Sequence, residues 1–350
     1  MIGPNAQTPA VHYGSLFIFF GYLSLAIFLV FICFRPIYLR YQARQHQNDW
    51  APPYRHRHLA LFVFLAGLSL GTTWYHMIRL FAHSYNSWAA SPDGLPYWGG
   101  ETSLITRLGL WLHKTYVFQE AWETVSENPS RFWWSGQIFG WTIGWSLFLG
   151  ITGRRYHIPH VWVFMLVAQG VSVSFAANLF FAAIIVSSQP NEKDVSLVWH
   201  PQLLYELGPV ALSILYTVAV PTFAYKQGFM PILLVPHLLV FIPCVLGPRG
   251  SSVPAKPDKA QFNYTTQRYV KFLQYVAAVS VALQGYLTIL MLQHMGTDVP
   301  HNNVARYLLD TMYVHPACSS VSWDVIMCTL SAFVWMIVHK FDMSQMLGGQ

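Results

Sequence analysis

The stretch "GSLFIFFGYLSLAIFLVFICF", residues 14–34, contains no charged side chain. A helix that crosses the hydrocarbon core of a bilayer needs roughly 20 mostly apolar residues. The stretch therefore predicts a membrane-spanning helix, and it sets the fold class of the chain. Because the residues before it lack the basic segment of a signal peptide, we expect this helix to remain in the mature protein as an anchor.

Further apolar runs follow. Those long enough to span are residues 59–81, 132–152, 159–186, 204–224, 268–292 and 323–340. An eighth run, 229–246, is short and contains three prolines, so it either crosses with kinks or dips into the bilayer and returns. We expect an all-α fold, a single polytopic membrane domain over residues 1–350. It should have seven or eight transmembrane helices plus an amphipathic helix.

The composition agrees with a lipid-embedded chain. Hydrophobic residues make up 54% and charged residues 10%, whereas a soluble domain has about 25% charged residues. No Lys/Arg-rich run of the nucleic-acid-binding type occurs, so the expected partner is the lipid bilayer and not nucleic acid. The four cysteines show neither CxxC nor zinc-finger spacing, which predicts no disulfide framework and no structural metal. The sequence does not indicate whether the protein is a monomer or an oligomer.

The arginines predict the orientation. The loop at 35–58 contains five of them, and positively charged loops face the cytosol. We therefore expect a protein of the endoplasmic reticulum membrane with its N-terminus in the lumen. Arg154 and Arg155 fall on the same cytosolic side. The basic loop at 247–267 agrees if 229–246 is re-entrant and disagrees if it spans.

The polar segment before the third apolar run predicts an amphipathic helix over residues 104–127. Its apolar face would contain Leu104, Leu108, Trp111, Thr115, Phe118, Trp122 and Val125. The opposite face would contain His113, Tyr116, Glu120, Glu123 and Glu127. Two interpretations are open. The acids either point to water from an interfacial helix, or point into a cavity as the functional acids of a helix packed on the spans.

Other polar residues lie within the apolar runs. Glu206 and Asp324 stand near the starts of spans, where each is either a functional acid or a cap of a helix N-terminus. His76 lies near the end of the second span, where it either snorkels to the interface or serves a site. Asn178 lies deeper, and its default role is an interhelical hydrogen bond.

Several motifs are absent. The chain has no DDxxD, NDxxD or DxDD sequence, no histidine set for a di-iron centre, no GxSxG and no P-loop. Metal, nucleophile-elbow and nucleotide chemistry are therefore unsupported, and we expect neither a cofactor nor a metal. What remains is a lipid-embedded cavity with aromatic side chains and a few carboxylates.

Five segments together resemble a known family. They are "FQEAWETV", "RFWWSGQI", "SFAANLFF", "LLVPHLLVF" and "SSVSWDVIM". Over roughly residues 100–340 the chain resembles the fungal integral membrane terpene cyclases of meroterpenoid biosynthesis, of the macrophorin and ascofuranone/ascochlorin type. The resemblance implies a farnesylated aromatic or quinone substrate, cyclised after protonation of a terminal olefin or epoxide, without metal or redox cofactor. "WETVSENPSRF" also resembles the sterol-isomerase superfamily, which protonates an olefin with membrane-buried acids.

The matched segments contain the candidate proton donors Glu120, Glu123 and Asp324, and Glu206 is added from its position in a span. We place Glu123 first, because partial burial and like-charged neighbours one helical turn away raise a carboxyl pKa. The predicted substrate-binding residues are Trp122, Trp134, His76 and Asn178. Aromatic rings stabilise cations, although tryptophans of membrane proteins also form interfacial belts.

Two alternatives to a cyclase remain. One is a sterol or lipid double-bond isomerase, which uses the same proton donors on a substrate that forms no ring. The other is a non-enzymatic lipid-binding protein or transporter. Transporters usually contain internal repeats with broken helices in matching halves, and here only 229–246 has the sequence of a broken helix.

Overall fold

A computed structural model describes residues 10–46, 54–97, 102–188, 198, 201–246, 259–296 and 303–348. Within these ranges the chain is helical and contains no strand, which confirms the all-α class. The helices are α1 Tyr13–His46, α2 Tyr54–Ala90, α3 Leu104–Lys114, α4 Val117–Ser126, α5 Pro129–Arg155, α6 Val161–Gly170, α7 Val173–Val186, α8 Leu203–Phe223, α9 Phe229–Leu239, α10 Ile242–Val245, α11 Lys259–Met295, α12 Val304–Tyr313, α13 Pro316–Val338 and α14 Met343–Met346, with a short 3-10 turn at Leu95–Tyr97.

Five helices in the described part are long and apolar enough to cross a membrane. They are Tyr13–His46, Arg55–Ala90, Leu204–Phe223, Lys259–Met295 and Pro316–Val338. Three of them contain a predicted apolar run in full, and the runs 204–224 and 323–340 extend one and two residues beyond the ends of their helices. The chain is therefore built as a membrane protein, and these five helices are its candidate spans.

Two other predicted runs have a different form. The run 132–152 lies in α5, a buried helix that packs against α4, α8, α10, α11 and α13. Where the pattern predicts one span over 159–186, the structure has the shorter helices α6 and α7. The helix restarts because Ser172 has an extended backbone and its side chain accepts the N–H of Phe175. The break lies between apolar residues, so hydropathy does not reveal it.

The proline-rich run 229–246 forms the two short helices α9 and α10. α9 packs against α8, and α10 packs against α5. Gly150 makes the second contact possible, because a Cβ atom at this position would lie only 2.3 Å from the carbonyl oxygen of Pro243. The absence of a side chain at Gly150 thus sets how closely the 229–246 segment approaches the bundle.

The predicted amphipathic helix over 104–127 is two helices, α3 and α4. Thr115 ends α3 in an extended conformation, and the Glu120 carboxylate accepts the backbone N–H of Tyr116 at 2.9 Å at the start of α4. The break turns the two halves relative to each other. Within α4, Glu123 is only 8% exposed whereas Phe118 is 40% exposed, so the predicted separation of an acidic face from an apolar face is wrong at these two residues.

The centre of the bundle is formed by α7 and α13, which pack against each other and against both α2 and α5. Phe181 of α7 stacks on Trp335 of α13 with ring centroids 4.4 Å apart. The side-chain amide of Asn178 donates to Ser69 of α2 at 3.2 Å and to Ser331 of α13 at 2.7 Å. This amide therefore joins three helices.

Arginines of the predicted cytosolic loop lie against one end of this core. Arg44 donates to the carbonyl oxygens of Val186 at 2.8 Å and Ser187 at 2.6 Å. Arg40 donates to the carbonyl oxygen of His157 at 2.7 Å. A cation stabilises the negative end of a helix dipole, so Arg44 caps the C-terminus of α7. Arg40 lies at the same end of the bundle as the segment that follows Arg154 and Arg155.

Candidate functional site

A cavity of about 270 Å³ lies between α2, α4, α5 and α13, against the break between α6 and α7. We call it the inner cavity. Its walls are mainly apolar, from Met77 of α2 and Phe118 of α4 to Val240 after α9. The volume is near the lower end of the range of about 300–1,000 Å³ typical of ligand sites. It matches one extended apolar chain better than a bulky polar ligand.

Asp324 of α13 lines the inner cavity and is 7% exposed. Its Oδ1 accepts the hydroxyl of Ser172 at 2.8 Å and the N–H of Ser174 at 2.9 Å, and its Oδ2 accepts the N–H of Val173 at 2.9 Å. The sequence left open whether Asp324 is a cap or a functional acid. The structure makes it a cap, but of α7 and not of its own helix, and it also places it in a cavity.

The surroundings of Asp324 act on its charge in opposite directions. Three hydrogen-bond donors favour the carboxylate, whereas burial in apolar surroundings favours the neutral acid. Oδ2 accepts only one hydrogen bond and keeps a position for a proton. Asp324 is therefore a buried carboxyl group whose Oδ2 has room for a proton at the wall of the cavity.

Three aromatic rings from different helices meet in the same cavity: Trp122 of α4, Phe139 of α5 and His237 of α9. The centroid distances are 5.5 Å between Trp122 and Phe139, 5.3 Å between Trp122 and His237, and 5.4 Å between Phe139 and His237. Trp122 was a predicted binding residue, and it lines the cavity. His237 is not among the binding residues predicted from the sequence, although a lone histidine in the apolar run 229–246 is a sign of a buried polar site.

The other three predicted carboxylates lie elsewhere. Glu123 is buried outside the inner cavity, and its Oε1 accepts the amide of Gln119 at 2.9 Å. Glu120 is exposed and caps the start of α4. Glu206 of α8 forms an ion pair with Arg268 of α11 at 2.8 Å. The four predicted acids thus do not form one cluster, and Asp324 is the one that reaches the inner cavity.

Three of the predicted binding residues contribute to helix packing. The indole of Trp134 donates to the carbonyl oxygen of Leu308 in α12 at 3.2 Å. His76 is buried, with its ring 6.3 Å from that of Tyr313 at the end of α12. Asn178 forms the interhelical hydrogen bonds described above. None of the three lines the inner cavity.

A second cavity, of about 290 Å³, lies beside the first one and has polar walls. We call it the vestibule. Its polar lining residues are His83, Ser84, Ser87, Ser91, Asp93, Lys114, Thr115, Glu120, Thr124 and His315. Leu80 of α2 and Ala121 of α4 line both cavities. The vestibule is thus a polar compartment that adjoins the inner cavity at these two side chains.

One vestibule residue predicts a dependence of stability on pH. Nδ1 of His315 accepts the N–H of Ala317 at 3.2 Å and caps α13. Burial, together with His83 and Arg131, lowers the pKa of His315 from 6.5 to about 4. Because the depressed pKa belongs to the folded state, its contribution is complete above pH 6.5 and is lost as the pH falls towards about 4. We expect the unfolding temperature in detergent to fall over this interval.

The matched variant is His315→Asn, since asparagine caps a helix without titrating. Its unfolding temperature should decrease less between pH 6.5 and pH 4 than that of the wild-type protein. Equal decreases in the two proteins would show that His315 is not a source of the pH dependence.

Comparison of the chain with models of known protein families, with curated proteins and with solved structures gives no match. The resemblance of the segments around Trp122 and Asp324 to membrane terpene cyclases therefore stays a prediction.

Proposed function

We propose that the protein is an integral membrane terpene cyclase that takes a farnesylated aromatic or quinone substrate into the inner cavity. The observation that carries the proposal is a buried carboxyl group, Asp324, in an apolar cavity that also contains a group of aromatic rings. Acid-initiated cyclisation needs these two components together: a proton donor shielded from water, and π systems near the developing cation.

In the proposed reaction, neutral Asp324 transfers its proton to the terminal olefin or epoxide of the prenyl chain. The three donors on its carboxyl oxygens stabilise the carboxylate left behind, which lowers the barrier to this transfer. Trp122 and Phe139 then stabilise the carbocation while the chain closes into a ring. Water is excluded by the apolar walls, and this protects the cation from early capture.

The two adjoining cavities suit an amphiphilic molecule. The prenyl chain would occupy the inner cavity, and the polar aromatic head would lie past Leu80 and Ala121 in the vestibule. Serine hydroxyl groups of α2, Lys114 and His315 offer hydrogen bonds to phenolic or carbonyl oxygens there. This placement directs the terminal olefin, at the far end of the chain, away from the vestibule and into the inner cavity.

We further propose seven or eight spans, location in the endoplasmic reticulum and a lumenal N-terminus. Five of these spans would be the long apolar helices. The others would be α5, the α6–α7 pair and the α9–α10 pair. The position of Arg40 and Arg44 at the same end as the α5–α6 connection supports one basic, cytosolic face.

The test is turnover of a farnesylated phenol by membranes that contain the protein, with and without EDTA, in deuterated water. We expect a cyclic product, with or without EDTA. An olefin substrate should gain one solvent deuterium, because the initiating proton comes from an exchangeable carboxyl group. Absence of a cyclic product, or activity that EDTA removes and magnesium restores, would contradict the proposal.

The inner cavity also supports the alternative function, that of a sterol or lipid double-bond isomerase. Protonation of one alkene carbon and deprotonation of another needs an acid and a base but no ring closure, and Asp324 and His237 both line the inner cavity. A product without a new ring, in which one solvent deuterium replaces one hydrogen, would identify this reaction in the same assay.

A transporter is less well supported, even though the structure adds a second broken helix to the one in the sequence. Broken helices in transporters usually present a free positive N-terminus to an anionic substrate. Here the N-terminus of α7 is occupied by the chain's own carboxylate, Asp324.

A further inference from the structure

His237 has a fixed tautomer. Its Nδ1 lies 2.7 Å from the carbonyl oxygen of Leu233, one helical turn earlier in α9. A carbonyl oxygen only accepts hydrogen bonds, so Nδ1 must carry the hydrogen. In the neutral ring the lone pair is then on Nε2, and this nitrogen has no hydrogen-bond partner within the described part of the chain.

The position of this ring makes the free nitrogen chemically relevant. His237 lines the inner cavity together with Asp324, and it is the one neutral nitrogen base among the described residues that do so. Two hydroxyl groups in the same walls are occupied as donors, since Tyr22 donates to the carbonyl of Gly170 and Ser320 donates to the carbonyl of Thr73. The buried hydroxyl of Thr73 has no hydrogen-bond partner in the described part of the chain, but it is not a basic group. The cavity therefore contains one carboxyl group and one unoccupied basic nitrogen.

The neighbours of His237 also suit the charged form of its ring. Trp122 and Phe139 lie with their centroids 5.3 and 5.4 Å from that of His237. Both ring pairs are edge-to-face, an arrangement that aromatic rings favour, and the carbonyl of Leu233 accepts the Nδ1 hydrogen more strongly once the ring is positive. These contacts offset part of the cost of a positive charge on this buried ring, and no carboxylate among the described residues touches it directly.

We infer that His237 is the base that ends the reaction, a role that rests on the cyclisation proposed above. The Nε2 lone pair takes a proton from the carbon next to the final cation. The electrons of that C–H bond form the new C=C bond, so the positive charge passes from the substrate to the imidazole. Return of one proton from His237 to Asp324, directly or through solvent, restores both groups, and the reaction consumes no proton overall.

The inference predicts which product is formed. With His237 present, the last cation should be deprotonated at one position and yield a single alkene. In His237→Gln the cation survives until another base or water reaches it, so alcohols and alkene isomers should replace that product. We expect the ratio of the wild-type alkene to all other cyclised products to fall by about 10²-fold, the lower limit for loss of a positioned base.

Two further variants distinguish the loss of the basic nitrogen from the loss of the packing contacts of the ring. His237→Phe keeps an aromatic ring beside Trp122 and Phe139 but has no basic nitrogen, and it should show the same change in product ratio as His237→Gln. His339→Gln is the matched control, because His339 makes the same contact, Nδ1 to the carbonyl of Trp335 at 2.9 Å, outside the inner cavity. Its product ratio should equal that of the wild-type protein.

Product analysis with the farnesylated phenol distinguishes the inference from the proposed function. If the wild-type protein forms a cyclic alkene and both His237 variants form it in an unchanged ratio, the inference is overturned while the cyclase remains. If the wild-type protein forms no cyclic product at all, both are overturned. A loss of total product at constant ratio would show that His237 acts only in packing and would also overturn the inference.

Discussion

Asp324→Asn is expected to reduce turnover by at least about 10²-fold, the contribution typical of a general acid. The substitution removes the transferable proton from the inner cavity while the volume of the side chain is almost unchanged. It also has a structural effect, since the new amide group cannot accept hydrogen bonds as both carboxylate oxygens do. Turnover per folded protein in membranes, normalised by the amount that remains monodisperse in detergent, separates the two effects.

Glu123→Gln is the matched control for this experiment. The sequence placed Glu123 first among the proton donors, whereas the geometry favours Asp324, because Glu123 lies outside the inner cavity and contacts Gln119. We expect near-normal turnover in Glu123→Gln. If that variant loses activity while Asp324→Asn retains it, the acid belongs to α4 and the inner cavity is not the reaction site.

Gly150→Ala is expected to destabilise the folded protein by about 1–3 kcal/mol, the usual cost of overpacking. The added methyl group would lie 2.3 Å from the carbonyl oxygen of Pro243, and a backbone atom cannot move aside as a flexible side chain does. α10 must then shift away from α5, and the preceding helix α9 carries His237. We therefore expect a lower unfolding temperature in detergent and reduced formation of the wild-type alkene.

Gly144 provides the comparison on the same helix. A Cβ atom there meets no other atom within 4 Å, so Gly144→Ala should gain about 0.5–1 kcal/mol from the better helix propensity of alanine. Opposite shifts of the unfolding temperature in the two variants are the expected result. Equal shifts would show that the contact between α10 and α5 is not tight.

The long helices could be predicted from the sequence because their signal is local. Twenty apolar residues in a row specify a span wherever the rest of the chain lies, and the runs at 14–34 and 268–292 are helices as expected. The breaks could not be predicted in this way. The restart of a helix at Ser172 depends on one hydroxyl and on a carboxylate from α13, and neither changes the hydropathy of the run 159–186.

The candidate site shows the same limit at the level of single residues. Glu123 was placed first because of expected partial burial and like-charged neighbours one helical turn away, on a single helix predicted over 104–127. The break at Thr115 and Tyr116 interrupts that period before α4 begins, and the packing of α4 then leaves Glu123 buried and Glu120 exposed. Asp324 was recognised as an acid near the start of a span, but its partners lie about 150 residues earlier in the chain. No local pattern encodes a contact of that length.

The bond between Asp324 and the N-terminus of α7 also constrains how the chain can be assembled in a bilayer. The ribosome delivers α7 long before α13, since 150 residues separate Ser174 from Asp324. During that interval the exposed backbone N–H groups at the start of α7 need other partners, such as water or an assisting protein of the insertion machinery. Asp324, the proposed proton donor, would then be the last of the residues lining the inner cavity to be synthesised. An incompletely synthesised chain would therefore have neither a sealed inner cavity nor an acid to act in it.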